Sequence, residues 1–293
     1  MHRFAFVLFA VFAPFIGASA QEGSQDTSQA DERAVEAYED ALDAWTAAQA
    51  EHRKAYRSAE TEEEQERIWS EESPDPDVFA PAFLAVASAH PGGAVALDCF
   101  GWVVGNAQDE KLVNSSLKVV LREHLQQVEL GAFVETIARS STLSVERALQ
   151  TIFTSSPHRE VKGKACYHLG MKKLSSARLA RRVAELKEEG EDPFEAYKGY
   201  YTEVALTRAM ALDPKVIQAV GEKLLDRVVN EFADIKGRRR TLGESAGAEL
   251  FEIRNLQIGM MAPEIEGADV NEKPMKLSDF RGKVVLLDFW GDW

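Results

Sequence analysis

From Asp31 to about Leu256 the apolar residues return at three- and four-residue steps, the spacing of one face of an α-helix. Val35, Tyr38, Leu42, Trp45, His52 and Tyr56 mark the first such face, on a long opening helix. An acidic run from Glu60 to Glu72 reads as a solvated helix face or loop, and Ser73-Pro74-Asp75-Pro76 breaks the chain. Shorter helices then follow at fairly even spacing. They are Phe79 to Ala89, Ala94 to Asn106 after the turn His90-Pro91-Gly92-Gly93, and Glu110 to Gln126 paired with Leu130 to Arg139. Val145 to Phe153 is expected to start on a Ser144 cap, and Ser155-Ser156-Pro157 leads into Arg159 to Lys173. Ser176 to Lys187 comes next, then an Asp192-Pro193 break and Tyr200 to Leu212. A long helix runs from Asp213-Pro214 to Ile235, with Ile217, Val220, Leu224, Val228 and Ile235 as its stripe. The basic loop Lys236-Gly237-Arg238-Arg239-Arg240 reads as solvated and precedes a last helix, Glu244 to Leu256.

Helix pairs of this size, joined by turns of a few residues, predict an irregular helical-repeat domain over 31–256, an α-solenoid of tetratricopeptide-like or HEAT-like stacking. No repeat consensus is present, so a single irregular bundle is the alternative. The fold class expected is mostly α.

Ahead of this domain the pattern is different. Met1 to Ala20 has a short basic end (His2, Arg3), an apolar stretch from Phe4 to Phe12, breaks at Pro14 and Gly17, and the small-x-small sequence Ala18-Ser19-Ala20. These are the parts of a signal peptide, so the protein is expected to be exported (periplasmic, cell-envelope or secreted), with a mature chain from Gln21. The apolar core is too short to cross a bilayer, and no other stretch reaches the ~18 consecutive apolar residues of a spanning helix. No Cys near the cleavage site points to a lipoprotein. Gln21 to Ala30 is rich in Gln, Ser and Asp and reads as a disordered lead-in.

Composition changes the picture in two places. The 293 residues carry a formal charge of -14, which argues against nucleic acid and against an anionic membrane surface as partners. Cys99 and Cys166 are the only cysteines, each inside an apolar helix and neither in a Cys-x-x-Cys. Core packing is their expected role, with a disulfide permitted by export but not forced. The histidines (His2, His52, His90, His124, His158, His168) lack metal-ligand spacing, so neither a metal nor a cofactor is expected. His124 reads as a satisfied core histidine beside Leu117, Val120 and Val128, and Gly163 and Gly170 as points of close helix packing. No Gly-rich phosphate loop and no Gly-x-Ser-x-Gly elbow is present.

From Ile258 to Trp293 the helical period gives way. Ala262-Pro263-Glu264 opens an extended run, Gly267 to Lys273 reads as a hairpin turn, and Met275-Lys276-Leu277-Ser278 as the return strand. Leu277 to Lys283 is a turn with one helical step. Val284 to Trp290 is a near-continuous apolar run that suits a strand covered on both faces. Together these residues resemble the amino-terminal part of redoxin domains, the thioredoxin-like thiol-disulfide oxidoreductases and peroxiredoxins. The family pattern is Ala-Pro, a strand, Asp-x-x-Gly, Leu-Ser-Asp, Gly-Lys-Val-Val, an apolar strand, and Phe-Trp-x-x-Trp-Cys-x-x-Cys. This chain has each element through the second tryptophan, Trp293, with Glu272 or Lys273 where the turn glycine usually sits.

The resemblance covers about an eighth of the chain. It implies a thioredoxin-like α/β domain of which residues 257–293 would be a truncated amino-terminal segment. Asp288 would be the proton acceptor for the resolving thiol, and Trp290 and Trp293 the rim of the active site. The nucleophile is absent from the chain. The activity implied is thiol-disulfide exchange with protein disulfides or a thioredoxin-like reductant, the helical domain offering a surface for a protein partner. A peroxiredoxin-type antioxidant shares the Leu-Ser-Asp and Gly-Lys-Val-Val elements and is the second reading. A non-catalytic helical interaction protein is the third. Both cysteine codons are one base from UGA, which also encodes selenocysteine in some thioredoxin-like proteins. An in-frame UGA after Trp293, or a premature stop or one-base error there, is therefore expected.

Overall fold

The computed structural model describes residues 19–140 and 142–288, with side-chain surroundings from Asp31 onward. The apolar core of the expected signal peptide, and Trp290 and Trp293, lie outside the described residues. The described chain is mostly helical and falls into two compact units, one ending at Ser155 and the other beginning at Ser156. The units differ in charge. Residues 1–155 carry 11 Lys and Arg against 25 Asp and Glu, a net of -14, whereas residues 156–293 carry 23 of each, a net of zero.

The first unit holds α1 (Ser19–Ser58), α2 (Glu62–Glu71), α3 (Pro76–Ala89), α4 (Ala94–Asn106), α5 (Glu110–Glu123), α6 (Leu130–Ile137) and α7 (Leu143–Ser155). Its centre is α4, apolar nearly all round and therefore buried, which packs against α1, α3, α5 and α6. Trp102 of α4 stacks on Phe83 of α3 with ring centres 4.0 Å apart and meets Trp45 of α1 edge-on at 5.5 Å. Trp45 in turn meets Phe79 edge-on at 5.2 Å. Such pairs add about 0.5–1.5 kcal/mol beyond the area they bury. The buried edge of α1 is Ala34, Ala41 and Trp45, with Val35 and Tyr56 exposed, so the stripe is rotated from the expected one onto small residues that admit α3 and α4 closely. The acidic run forms α2, solvated except for Ile68. Helix α1 also takes in Gln21–Ala30, expected as a lead-in without structure; that stretch contains no proline to stop it.

The second unit holds α8 (Arg159–Glu189), α9 (Pro193–Ala196), α10 (Glu203–Met210), α11 (Pro214–Glu231), α12 (Leu242–Asn255), the strands β1 (Glu266–Ala268) and β2 (Pro274–Lys276), and a 3-10 turn, Leu277–Phe280. The two helices expected at 159–173 and 176–187 are one. Lys172 to Ala177 contains neither Gly nor Pro, and Leu169, Leu174, Ala177, Ala180 and Val183 continue a single buried stripe. Tyr200 and Tyr201, expected in a helix, precede α10, which starts on a Thr202 cap. The α7 hydroxyl contact comes from Thr142 rather than Ser144: Val145 N–H donates to Thr142 Oγ1 at 3.4 Å. Asp-Pro pairs open α3, α9 and α11, with Asp75, Asp192 and Asp213 each accepting a bond from the first turn, a cap of about 1 kcal/mol.

The core of the second unit is the crossing of α8 and α11, and glycine sets its distance. A Cβ on Gly221 would meet Leu174 Cδ2 at 2.8 Å and the Gly170 carbonyl oxygen at 3.1 Å. One on Gly163 would meet Ile235 Cδ1 at 2.4 Å. Gly163 and Gly170 therefore permit close packing as expected, and Gly221 with Leu225 supplies the facing surface in place of the expected Val220, which is exposed.

Gly221→Ala is expected to lower stability by about 1–3 kcal/mol through overpacking, in spite of the better helix propensity of alanine. Gly247→Ala, in α12, meets nothing within 4 Å and is expected to raise stability. The gain should be up to about 1 kcal/mol. Thermal unfolding followed by circular dichroism reads both; equal shifts from the two variants would contradict the crossing.

Candidate functional site

The segment from Ala262 to Asp288 is held by local hydrogen bonds, not by a core. Strand β1 pairs antiparallel with β2 in the register Glu266 with Lys276, Gly267 with Met275 and Ala268 with Pro274, and every residue of both strands is exposed. Asp269 closes the turn. Its backbone N–H donates to Lys273 O (2.9 Å), while its Oδ1 accepts from Asn271 N (2.8 Å) and Lys273 N (2.9 Å). These amide donors hold the Asp269 carboxyl below the usual carboxylate range. Glu272 has φ of 62°, a left-handed conformation that among the described residues only glycines otherwise adopt. The residue that bends the turn is thus Glu272, not Lys273.

Glu264 joins the first extended residues to the 3-10 turn. Its Oε1 accepts from Ser278 N at 3.0 Å, and Leu277 N donates to Ile265 O at 2.9 Å. Bonding to Ser278, ahead of the smaller Ile265 contribution, holds the Glu264 carboxyl low as well. Lys276 N–H donates to Asp279 Oδ2 at 2.9 Å, capping the 3-10 turn. Gly282 then takes φ of 80° where the chain leaves that turn. The roles of Glu264 and Asp279 were not read from the sequence. The signal available for Asp279 was an acidic residue three positions from the amide it caps; Glu264 reaches Ser278, 14 positions on, and carries no such local mark.

Val284 to Asp288 does not form the expected strand. The residues have no regular structure and all are exposed, including Val284 and Leu286. The physical reason is the lack of neighbours: β1 and β2 pair with each other, and no other strand is present among the described residues. Asp288 is exposed at the end of this run. Trp290 and Trp293 fall outside the described residues. No family model, no curated protein and no solved structure matches this chain.

The cysteines are free and fully buried. Burial pushes the Cys99 thiol up to about 12, with the neighbouring Asp98 charge adding to the shift. Burial likewise pushes Cys166 to about 12 against a smaller lowering by Arg227, and its Sγ–H donates to Leu224 O at 3.4 Å. A reactive thiol needs the opposite setting, positive and partly exposed. His124 is buried as expected but only half satisfied. Its Nδ1 pairs with Gln127 Oε1 at 2.8 Å, whereas Nε2 has no hydrogen-bond partner among the described residues. The ring lies edge-on to Phe100, an apolar wall, and Val128 is exposed rather than part of that face. Among the described residues no group of three or more His, Cys, Asp or Glu could hold a metal ion, and no helix is long and apolar enough to cross a membrane.

Neither thiol should react with a water-soluble disulfide reagent at about pH 8 while the chain is folded, and both should react after denaturation. A thiol that titrates rapidly in the folded chain would contradict the burial. Because the folded values are raised, the thiols' contribution to stability is complete below the unfolded value of ~8.5. It is lost as the pH climbs toward about 12.

Glu272→Gly should tighten the hairpin, since the left-handed conformation costs a non-glycine residue about 1–2 kcal/mol and glycine gives part of this back in entropy. Slower amide exchange at Asp269 and Lys273 is the readout. Exchange that is unchanged or faster would count against the turn.

Proposed function

We propose that residues 258–288 are the leading hairpin and turn of a redoxin-like domain, working in thiol-disulfide exchange behind a helical domain that docks partners. The observation that carries this reading is the turn. Asp269 clamps it, and Glu272 takes the left-handed conformation at the position where the family pattern Asp-x-x-Gly has its glycine. The Glu264–Ser278 bond, which ties the Ala-Pro element to the Leu-Ser-Asp element, supports it further.

On this reading Asp288 accepts the proton of a resolving thiol, and Trp290 and Trp293 wall the site. The nucleophilic Cys-x-x-Cys belongs directly after the second tryptophan. Cys99 and Cys166, sealed in helices, are not the nucleophile, so residues 1–293 alone do not perform exchange. An apolar strand at Val284–Leu287 would need a sheet around it, which residues 19–288 do not supply. A peroxiredoxin-type activity would share the same hairpin. Export by the expected signal peptide would place the chemistry in the periplasm, envelope or medium.

The helical part is proposed as an irregular repeat array. In the first unit α3 packs on α4, α4 on α5 and α6, and α5 on α7, the near-neighbour pattern of stacked helices. The burial of both thiols favours a second reading, a helical interaction protein without redox activity.

Insulin reduction by residues 1–293, set against a chain continued through the downstream frame, separates the two. Activity only in the continued chain is expected. An inactive continued chain, or a locus with no redoxin-like frame beyond codon 293, would sink the redoxin proposal.

A further inference from the structure

The turn between α11 and α12 gathers cations without counter-charges. Lys236, Arg238, Arg239 and Arg240 are all exposed, and none of their side chains has an ion-pair or hydrogen-bond partner among the described residues. Several arginines elsewhere in the second unit are paired. Arg159 grips Asp234 through two nitrogens, at 3.0 and 2.6 Å, Arg227 meets Glu231, Arg178 meets Glu249, and Arg254 spans Glu222 and Asp226. The neighbouring helices interleave both signs. The turn does not, and its adjacent like charges repel.

The base that carries these side chains is fixed. Gly237 N donates to Arg240 O at 2.9 Å, Lys236 and Thr241 form a β-bridge, Leu242 N donates to Ile235 O at 2.8 Å, and Gly243 N donates to Ala233 O at 3.1 Å. Gly237 is required there, because a Cβ would stand 2.8 Å from the Arg240 carbonyl oxygen. The first amides of α12 are all occupied, Glu244 N by Thr241 Oγ1 at 3.2 Å and the two before it by the carbonyls just named. A small anion therefore finds no free helix-terminal donors. What remains is a short row of guanidinium groups on a rigid base, and each such fork matches a carboxylate in bidentate fashion.

We propose that the Lys236–Arg240 turn is a docking surface for a Glu- and Asp-rich segment of a partner protein. Three arginines and a lysine carried on one tight turn present several cationic groups together, so they meet a run of carboxylates rather than one. A membrane or a nucleic acid is an extended polyanion, disfavoured by a chain whose net charge is -14. A short acidic segment engages only the turn, within the ~8 Å over which charges are felt at physiological salt. The proposal uses this turn alone and stands or falls apart from the redoxin reading.

The test is fluorescence anisotropy of a labelled Glu-rich decapeptide titrated with the full chain, with an anionic phospholipid vesicle and a DNA oligonucleotide as competitors. Binding is expected to weaken as NaCl rises from roughly 50 to 300 mM. The variant R238E/R239E/R240E should lose at least about tenfold in affinity with unchanged melting, and R238K/R239K/R240K should keep part of it. If the triple reversal melts early, R239E alone carries the comparison. No binding by the unaltered chain, equal binding by the reversed chain, or preference for vesicle or DNA over the peptide overturns the proposal.

Discussion

Helix against helix is the only way the described chain buries apolar surface, and the rest of its structure depends on that constraint. The two strands are three residues each and wholly exposed, so they contribute no core. In the first unit α4 meets the constraint by being apolar nearly all round and taking neighbours around it. In the second, α8 and α11 meet it by approaching through Gly170 and Gly221 until Leu174 and Leu225 fill the space a Cβ would have taken. Both cysteines sit inside such contacts. The packing that makes the core is thus what removes them from chemistry, since a thiol without water around it resists ionisation.

The segment after α12 follows a different rule. Its order comes from carboxylates that accept backbone N–H bonds, Asp269 at the turn, Glu264 across to Ser278 and Asp279 at the 3-10 turn. Such bonds fix a local shape without a core and tie its pieces in a set order. They cannot hold Val284 to Leu287, because a strand with two apolar faces gains only when both are covered. The segment is a formed hairpin followed by uncovered chain, and the buried core lies in the helices.

Charge is distributed as unevenly as apolar surface. The whole net charge belongs to the first unit, while the second balances its signs and ties Arg159, Arg178 and Arg254 to carboxylates on other segments. Within that balanced surface, the Lys236–Arg240 turn stands out because the backbone holds it and no described residue pairs with its side chains.

The helical class, the Asp-Pro helix starts, the inert cysteines, the hairpin with its 3-10 turn and the basic loop could all be read from the sequence. Each rests on spacing or residue type within a few positions: a 3.6-residue period, a fixed proline φ, an Asp placed two residues before the amide it accepts from. Other features were decided by the tertiary structure. The buried edge of α1 turned to Ala34 and Ala41 because α3 and α4 approach there; 159–173 and 176–187 fused because one stripe is buried throughout, against α11 and then α10; Gly221 displaced Val220 because Gly170 stands opposite. Val284 to Asp288 has every local mark of a strand and is not one, because a strand is completed by its neighbours. Period is a local property of the chain. Which face is buried, where a helix ends and whether a strand pairs are set by residues far away in sequence.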